Sequence, residues 1–235
     1  AYQSNGHIRH PSYNPQVKAD PARIEEAVAL LATAKRPLIY AGGGVINAGV
    51  AASQLLTNFA RLTGSPVTLT LMALGAYPAS DKQFLGMLGM HGTYEANMAM
   101  HHSDLILCVG ARFDDRVTGN LAKFAAKAKV IHLDIDAAEV GKRKPAKASL
   151  IADLKTSLPA LECVVTPKAW CDTNKLMSEK HAWRYDYPGE KVFAPYLLNQ
   201  LSQRMPKTGV VCCDVGQHQM WVAQHMKFNH PSNHL

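Results

Sequence analysis

The sequence predicts an α/β fold: a parallel sheet with helices on both faces, followed by the start of a second α/β domain. Three observations predict it. Short apolar runs alternate with stretches whose apolar residues recur at helical spacing, as in a sheet wound with crossover helices. Glycines, arginines and carboxylates gather just after the apolar runs, where ligands sit in such sheets, outside the carboxyl ends of the strands. With 47% hydrophobic residues in 235, the chain can bury one sizeable core, or one domain and part of another.

The elements follow in order. Residues 1–20 are polar, carry Pro11 and Pro15, show no signal-peptide pattern and do not begin with Met; they read as a linker from an upstream domain. Asp20-Pro21 supplies an N-cap and a first-turn proline, and Ile24, Ala27, Val28 and Leu31 repeat at helical spacing, predicting a helix over 21–34. Pro37 to Ala41 is a short buried strand running into Gly42-Gly43-Gly44. A helix from about Asn47 to Thr63 is expected to turn Ala51, Leu55, Phe59 and Leu62 inward, before a strand at Pro66 to Leu69 and a loop from Leu71 to Pro78. Helix at Tyr94 to His101, strands at Leu105 to Val109, Val130 to Asp136 and Ser149 to Ala152, and a helix at Leu154 to Leu161 complete a domain over 21–164.

From 165 to 191 the pattern breaks, and Pro167, Pro188 and Gly189 mark a partly helical linker. Phe193 to Met205 restarts a helix, Gly209 to Cys213 a strand, and Gly216 onward a further helix, so 192–235 reads as the beginning of another domain.

Composition narrows the function classes. The net charge of +7 comes from scattered basic residues, apart from Lys142-Arg143-Lys144 and Lys147. Basic and aromatic residues do not interleave as on a nucleic-acid surface, so the excess points to a small anionic ligand. No apolar run approaches the ~20 residues of a membrane span. The five cysteines (Cys108, Cys163, Cys171, Cys212, Cys213) show no metal-like spacing, and their odd number favours a reducing compartment over a disulfide framework. Cys108 and Cys212 read as small buried strand residues, and His101-His102 as a helix end.

The most informative stretch is Gly110-Ala-Arg-Phe-Asp-Asp-Arg-Val-Thr-Gly119, directly after an apolar strand. Arg112 and Arg116 can fork onto phosphate, and Asp114 can hold them or accept from a ligand; the bland alternative is a surface salt-bridge network. Gly42 to Gly44 allows close approach to a ligand, or serves only as a tight turn, since it is not GxGxxG. Asp134 and Asp136 end a strand where a carboxylate can accept from ribose hydroxyls. Asp214-Val-Gly-Gln-His-Gln-Met-Trp221 opens a helix: Gln217 and His218 can face an anion there, or merely flank a cap.

Those two long motifs, in this order and spacing, resemble the acetohydroxyacid synthase (acetolactate synthase) large catalytic subunit, over nearly all 235 residues. The resemblance implies a Rossmann-like central domain of thiamine diphosphate enzymes, of the DHS type. FAD would lie against Gly42, Gly43, Gly44, Thr70, Leu71, Gly110, Arg112, Asp114, Arg116, Val117, Asp134, Ile135 and Asp153. Gly89, Met90 and His91, in the run Leu88 to Thr93, would contact the flavin; without the resemblance they are equally loop packing. Gly216, Gln217 and His218 would hold the diphosphate of thiamine diphosphate. Two departures stand out: Ala152 where the family often has glycine before Asp153, and Cys212-Cys213 where it carries hydroxyl residues.

For the whole enzyme the resemblance implies condensation of two pyruvates, or of pyruvate and 2-oxobutyrate, with release of CO2, in branched-chain amino acid biosynthesis. It implies a homodimer or homotetramer, a possible small regulatory subunit, and a bacterial cytoplasmic or an organellar location, with neither nucleic acid nor membrane as partner. The activating glutamate would lie before Ala1 and the magnesium ligands after Leu235. No catalytic or metal residue is therefore assigned to this segment, and these 235 residues alone are expected to be inactive. A flavin-containing relative (pyruvate oxidase, glyoxylate carboligase) and a non-catalytic dinucleotide-binding module are the alternatives.

Overall fold

In the computed structural model, which describes residues 15–161, 167–186 and 191–235, the Asp20 carboxylate accepts the Ala22 N–H at 3.0 Å and caps helix α1 (Pro21–Thr33). Residues 1–14 of the expected linker, together with Cys163, Pro188 and Gly189, lie outside the described residues.

Strand β1 (Pro37–Ala41) is buried along its whole length. The single helix expected from Asn47 to Thr63 is two, α2 (Gly43–Ala48) and α3 (Val50–Thr63), divided at Gly49 with φ 92°. The buried stripe of α3 differs from the expected one. Ala51 and Leu62 face solvent and Leu55 is half-buried, while Ala52, Leu56, Phe59, Ala60 and Thr63 face the core. Small hydroxyls explain the misphasing. Thr57 and Thr63 donate to the Ser53 and Phe59 carbonyls at 2.9 and 3.0 Å, and Ser53 to the Ala76 carbonyl at 2.6 Å, so they are buried without unmet polar groups.

Strand β2 (Val67–Leu69) leads through a short 3-10 turn, Leu71–Ala73, to β3 (Phe84–Met87), which the sequence does not announce. It is an edge strand carrying Gly86 at φ 96°, and its register against β2 is irregular. Then follow α4 (Tyr94–His102), β4 (Leu105–Val109), α5 (Asp115–Thr118), β5 (Lys129–Asp134), β6 (Ala148–Ile151) and α6 (Leu154–Ala160). His101 and His102 occupy the last turn of α4.

The six strands are all parallel, in the order β3-β2-β1-β4-β5-β6. Alternate residues serve opposite faces. Ile39, Leu107, Val109, Ile131 and Leu133 pack with Ala27, Leu31, Leu56 and Leu158 of the helices on one side. Leu38, Tyr40, Ile106, Cys108 and Val130 pack with Ala96, Ala99 and Met100 of α4 on the other.

Helix α7 (Lys168–Lys180) occupies much of the stretch expected as a partly helical linker, and it is docked on the second face. Trp170 is buried there and donates its indole N–H to the Pro37 carbonyl at 3.0 Å. Helices α8 (Ala194–Arg204) and α9 (Gln217–His225) fall where expected. The strand expected at Gly209 to Cys213 does not form; only Val211 bridges, to His234. Cys212 is consequently exposed, against expectation. Val222 and Ala223 of α9, with Phe228, pack on Leu74 and Met87. No helix among the described residues is long and apolar enough to cross a membrane.

Candidate functional site

Strand order reverses between β1 and β4, and the loops leaving these two strands open a cleft of about 890 Å³. The cleft is bounded by Gly42, Gly43, Gly44, Thr70, Leu71, Gly110, Arg112, Asp114, Arg116, Val117, Asp134, Ile135 and Asp153. These are the flavin candidates of the sequence, except Gly89, Met90 and His91.

The glycine triplet divides into two roles. A Cβ on Gly42 would collide with the Gly110 carbonyl oxygen and lie 2.6 Å from Ala111 Cα; one on Gly44 would lie 2.7 Å from Gly110 Cα. Both glycines therefore exist so that the β1 and β4 loops can touch. Gly43 meets only Met72, at 3.4 Å. The Gly42, Gly44 and Val45 N–H groups donate to the Val109, Gly110 and Gly42 carbonyls, which leaves the Gly43 N–H without an acceptor among the described residues.

The β4 loop is shaped by unusual backbone. Gly110 has φ 57° and Phe113, a non-glycine, φ 52°. Phe113 is fully buried, its ring packed on Tyr40, Phe124 and His132 at centroid distances of 5.4, 6.2 and 5.6 Å. Arg112 extends into solvent, 69% exposed, and its guanidinium binds Asp114 at 2.8 Å. Asp114 also accepts the Arg116 N–H at 3.1 Å and so caps α5. The Arg116 N–H, with Asp115 and the Arg112 guanidinium behind it, holds the Asp114 carboxyl below the usual carboxylate range. No ion-pair partner for Arg116 occurs among the described residues.

Two further carboxylates line the cleft. Asp134 accepts the Asp136 N–H through Oδ1 at 3.0 Å, and Oδ2 has no partner among the described residues. Asp153 is more committed: Oδ1 caps α6 through the Lys155 N–H at 2.8 Å, and Oδ2 faces Lys155 Nζ at 3.5 Å. Ile135 is a half-exposed apolar residue of the same lining.

Gly89, Met90 and His91 do not line the cleft; they form a turn bonded to the loop that does. The Met90 N–H donates to the Arg116 carbonyl at 3.0 Å, and Asn97 holds Gly89 through both its N–H and its carbonyl. The His91 carbonyl accepts from Gln224 of α9 at 2.7 Å. Gly216 precedes α9, and Gln217 and His218 are exposed at its start, outside the cleft. As they stand they make a helix opening without walls. No cluster of metal-ligating side chains occurs among the described residues.

The cleft also takes in Asp136, the second carboxylate that the sequence offered for a ribose, and Tyr40, Asn47, Met72, Glu139 and Lys155, which the sequence did not single out. Most are neighbours of chosen ones and carry no signal of their own. The cleft fits a nucleotide-type ligand on two counts. Its volume lies within the ~300–1,000 Å³ of small-molecule sites. Its lining sets Arg112 and Arg116, which suit phosphate, together with the Asp134 and Asp153 carboxylates, which can accept from hydroxyls.

Comparison with known proteins bears on this geometry. Residues 24–161 match the family described as thiamine pyrophosphate enzyme, central domain. The chain is 48% identical over 215 residues to the acetolactate synthase isozyme 2 large subunit of Escherichia coli, covering 91% of this chain and 39% of that protein. It is 41% identical to the acetolactate synthase large subunit of Haemophilus influenzae, covering 98% and 41%. It is 38% identical to the chloroplastic acetolactate synthase of Arabidopsis thaliana, covering 97% and 35%. The chain thus spans about two-fifths of the length of the curated relatives it matches.

Proposed function

Because the chain belongs to the thiamine pyrophosphate enzyme family, through that family's central domain, we propose that it binds FAD in the β1/β4 cleft and serves an acetolactate synthase large subunit. The whole protein would condense two pyruvates to 2-acetolactate, or pyruvate and 2-oxobutyrate to 2-aceto-2-hydroxybutyrate, releasing CO2. The observation that supports this best is the cleft itself, lined by two arginines and the Asp134 and Asp153 carboxylates at the turn of strand order.

In this reading Arg112 and Arg116 bind the pyrophosphate by charge-assisted hydrogen bonds, with the Gly43 N–H beside them. Asp134 accepts from a ribose hydroxyl through Oδ2, and Ile135 gives the adenine an apolar face. The Gly89 to His91 turn, held to the Arg116 carbonyl, contacts the flavin ring. Gly216, Gln217 and His218 form one side of a thiamine diphosphate site. When bound, thiamine diphosphate supplies the carbon chemistry, with magnesium, and FAD a chiefly structural planar group. A second large subunit and a small regulatory subunit are the proposed partners, in the bacterial cytoplasm or an organelle.

An absorbance spectrum of the purified protein tests the flavin reading directly: oxidised flavin bands that survive desalting support it, and a protein that neither carries nor takes up FAD overturns it. Product analysis with pyruvate tests the reaction. Acetolactate supports the synthase, whereas acetyl phosphate or acetate would move the protein to an oxidase-type relative.

A further inference from the structure

Asn97 lies within α4, outside the cleft lining, and no reading of the sequence picks it out. Its amide makes three hydrogen bonds to main chain. Oδ1 accepts the Gly89 N–H at 3.3 Å, and Nδ2 donates to the Gly89 and Thr93 carbonyls at 3.0 and 2.9 Å. Gly89 is thus held at its N–H and its carbonyl by one side chain, with a φ of 111° that suits only glycine. What Gly89 touches explains why it must be held. A Cβ there would lie 3.0 Å from the Arg116 carbonyl oxygen and 3.2 Å from Val117 Cα, so its backbone is pressed against two residues that line the cleft. The Met90 N–H donates to the same Arg116 carbonyl at 3.0 Å. That carbonyl belongs to α5, a helix of four residues and too short to be stable by itself. Asp114 caps its start, and the Gly89-Met90 turn braces it from outside the cleft.

We infer that Asn97 is a positioning residue of the cleft: by holding Gly89 it fixes the Arg116 peptide, and with it the aim of the Arg116 guanidinium at a phosphate of the bound dinucleotide. Arg116 has no ion-pair partner among the described residues to steer its side chain, so its aim depends on its main chain. Main chain is where the brace acts. A displacement there swings a long side chain through a larger distance at its tip, and a charge-assisted hydrogen bond is sensitive to such a change in distance and angle. The inference rests on the proposal that the cleft holds FAD and that Arg116 binds its pyrophosphate.

The experiment titrates wild type, Asn97→Ala, Arg116→Ala and the double variant with FAD and with ADP by calorimetry, after melts confirm that each ligand-free protein is folded. Should N97A not fold, Asn97→Ser takes its place, since its hydroxyl can still donate to the Thr93 carbonyl four residues back while both bonds to Gly89 are lost. FAD and ADP should each bind N97A about tenfold more weakly, the loss expected when Arg116 no longer keeps a charge-assisted hydrogen bond. With Arg116 already replaced, the same substitution should change either affinity by less than about twofold, because two residues acting through one contact are not additive. A role in folding alone would give the same loss in both backgrounds, and that result overturns the inference. Equal FAD affinity in wild type and N97A overturns it as well, while leaving the flavin reading intact, and so does an R116A protein that binds like wild type. Loss of FAD affinity with ADP affinity unchanged would mean that the turn serves the flavin ring and not Arg116. If wild type binds neither ligand, the flavin reading itself fails, and the inference with it.

Discussion

His132 Nε2 lies 2.9 Å from the carbonyl oxygen of Ala111, while its Nδ1 accepts the Gly141 N–H at 3.2 Å. A ring nitrogen that accepts leaves the other as donor, so the neutral imidazole ties β5 to the loop carrying Arg112. Burial holds the His132 pKa below its ordinary value, although the Ala111 carbonyl, Asp134 and Glu139 pull it upward.

The sign of the resulting pH dependence follows. A histidine with a depressed folded pKa is protonated more readily in the unfolded chain. Its stabilisation is complete above its ordinary pKa of ~6.5 and is lost as pH falls from there toward the folded value. His225 and His234 shift the same way through burial, so the contribution of His132 must be read as a difference. His132→Gln should flatten the fall of stability between about pH 6.5 and 5 by up to ~1.4 kcal/mol per pH unit. Urea unfolding across that range measures it, and parallel slopes would mean that His132 does not titrate there.

The glycines of the β1 turn should respond unequally. Gly42→Ala puts a methyl into the Gly110 carbonyl and should destabilise by about 2–4 kcal/mol, or prevent folding. Gly43→Ala should change stability by less than about 1 kcal/mol, since it begins α2 with only Met72 nearby. Thermal melts of the two variants suffice; equal losses would show that the two loops do not meet as described.

Arg112→Ala should weaken FAD binding at least tenfold, from the loss of one or two charge-assisted hydrogen bonds worth ~1.5–3 kcal/mol each. Its effect on the melting temperature should be slight, because an ion pair as exposed as Arg112–Asp114 contributes only about 0–1 kcal/mol. Unchanged affinity in a flavin fluorescence titration would remove Arg112 from the site.

Trp170→Ala should cost about 3–5 kcal/mol, the range for emptying a buried aromatic site, and should release α7 from the sheet. Limited proteolysis provides the readout: new cleavage within 168–180 is expected in the variant. Protection equal to wild type would show that α7 is held by other contacts.

The sheet was legible because its interior strands are plain. Pro37 to Ala41 and Leu105 to Val109 are buried on both faces and bounded by punctuating residues, so their limits are those of the apolar runs. The edge strand Phe84–Met87 was not, since Phe84 and Gly86 are only part-buried and the glycine interrupts it. The stripe of α3 was misread because Ser53, Thr57 and Thr63 bury hydroxyls that count as polar in any periodicity. At the candidate site, residues with charge or glycine character announced themselves. Asn97 did not, because an asparagine inside a helix is indistinguishable from a solvated one until its bonds to Gly89 are found. The indole bond of Trp170 to Pro37, 133 positions away, is likewise beyond any local pattern.

The interlock of Gly42 and Gly44 with Gly110 has a consequence for how this chain can change over time. Apart from Ala111 Cβ, the atoms that would meet a new methyl group belong to main chain, so trimming a side chain cannot make room. Relief would require sliding β1 against β4, which are bonded in register from Pro37–Leu105 to Ala41–Val109. Second-site suppressors of a substitution at Gly42 should therefore be rare, and a lineage that lost one of these glycines would have to rebuild both loops together.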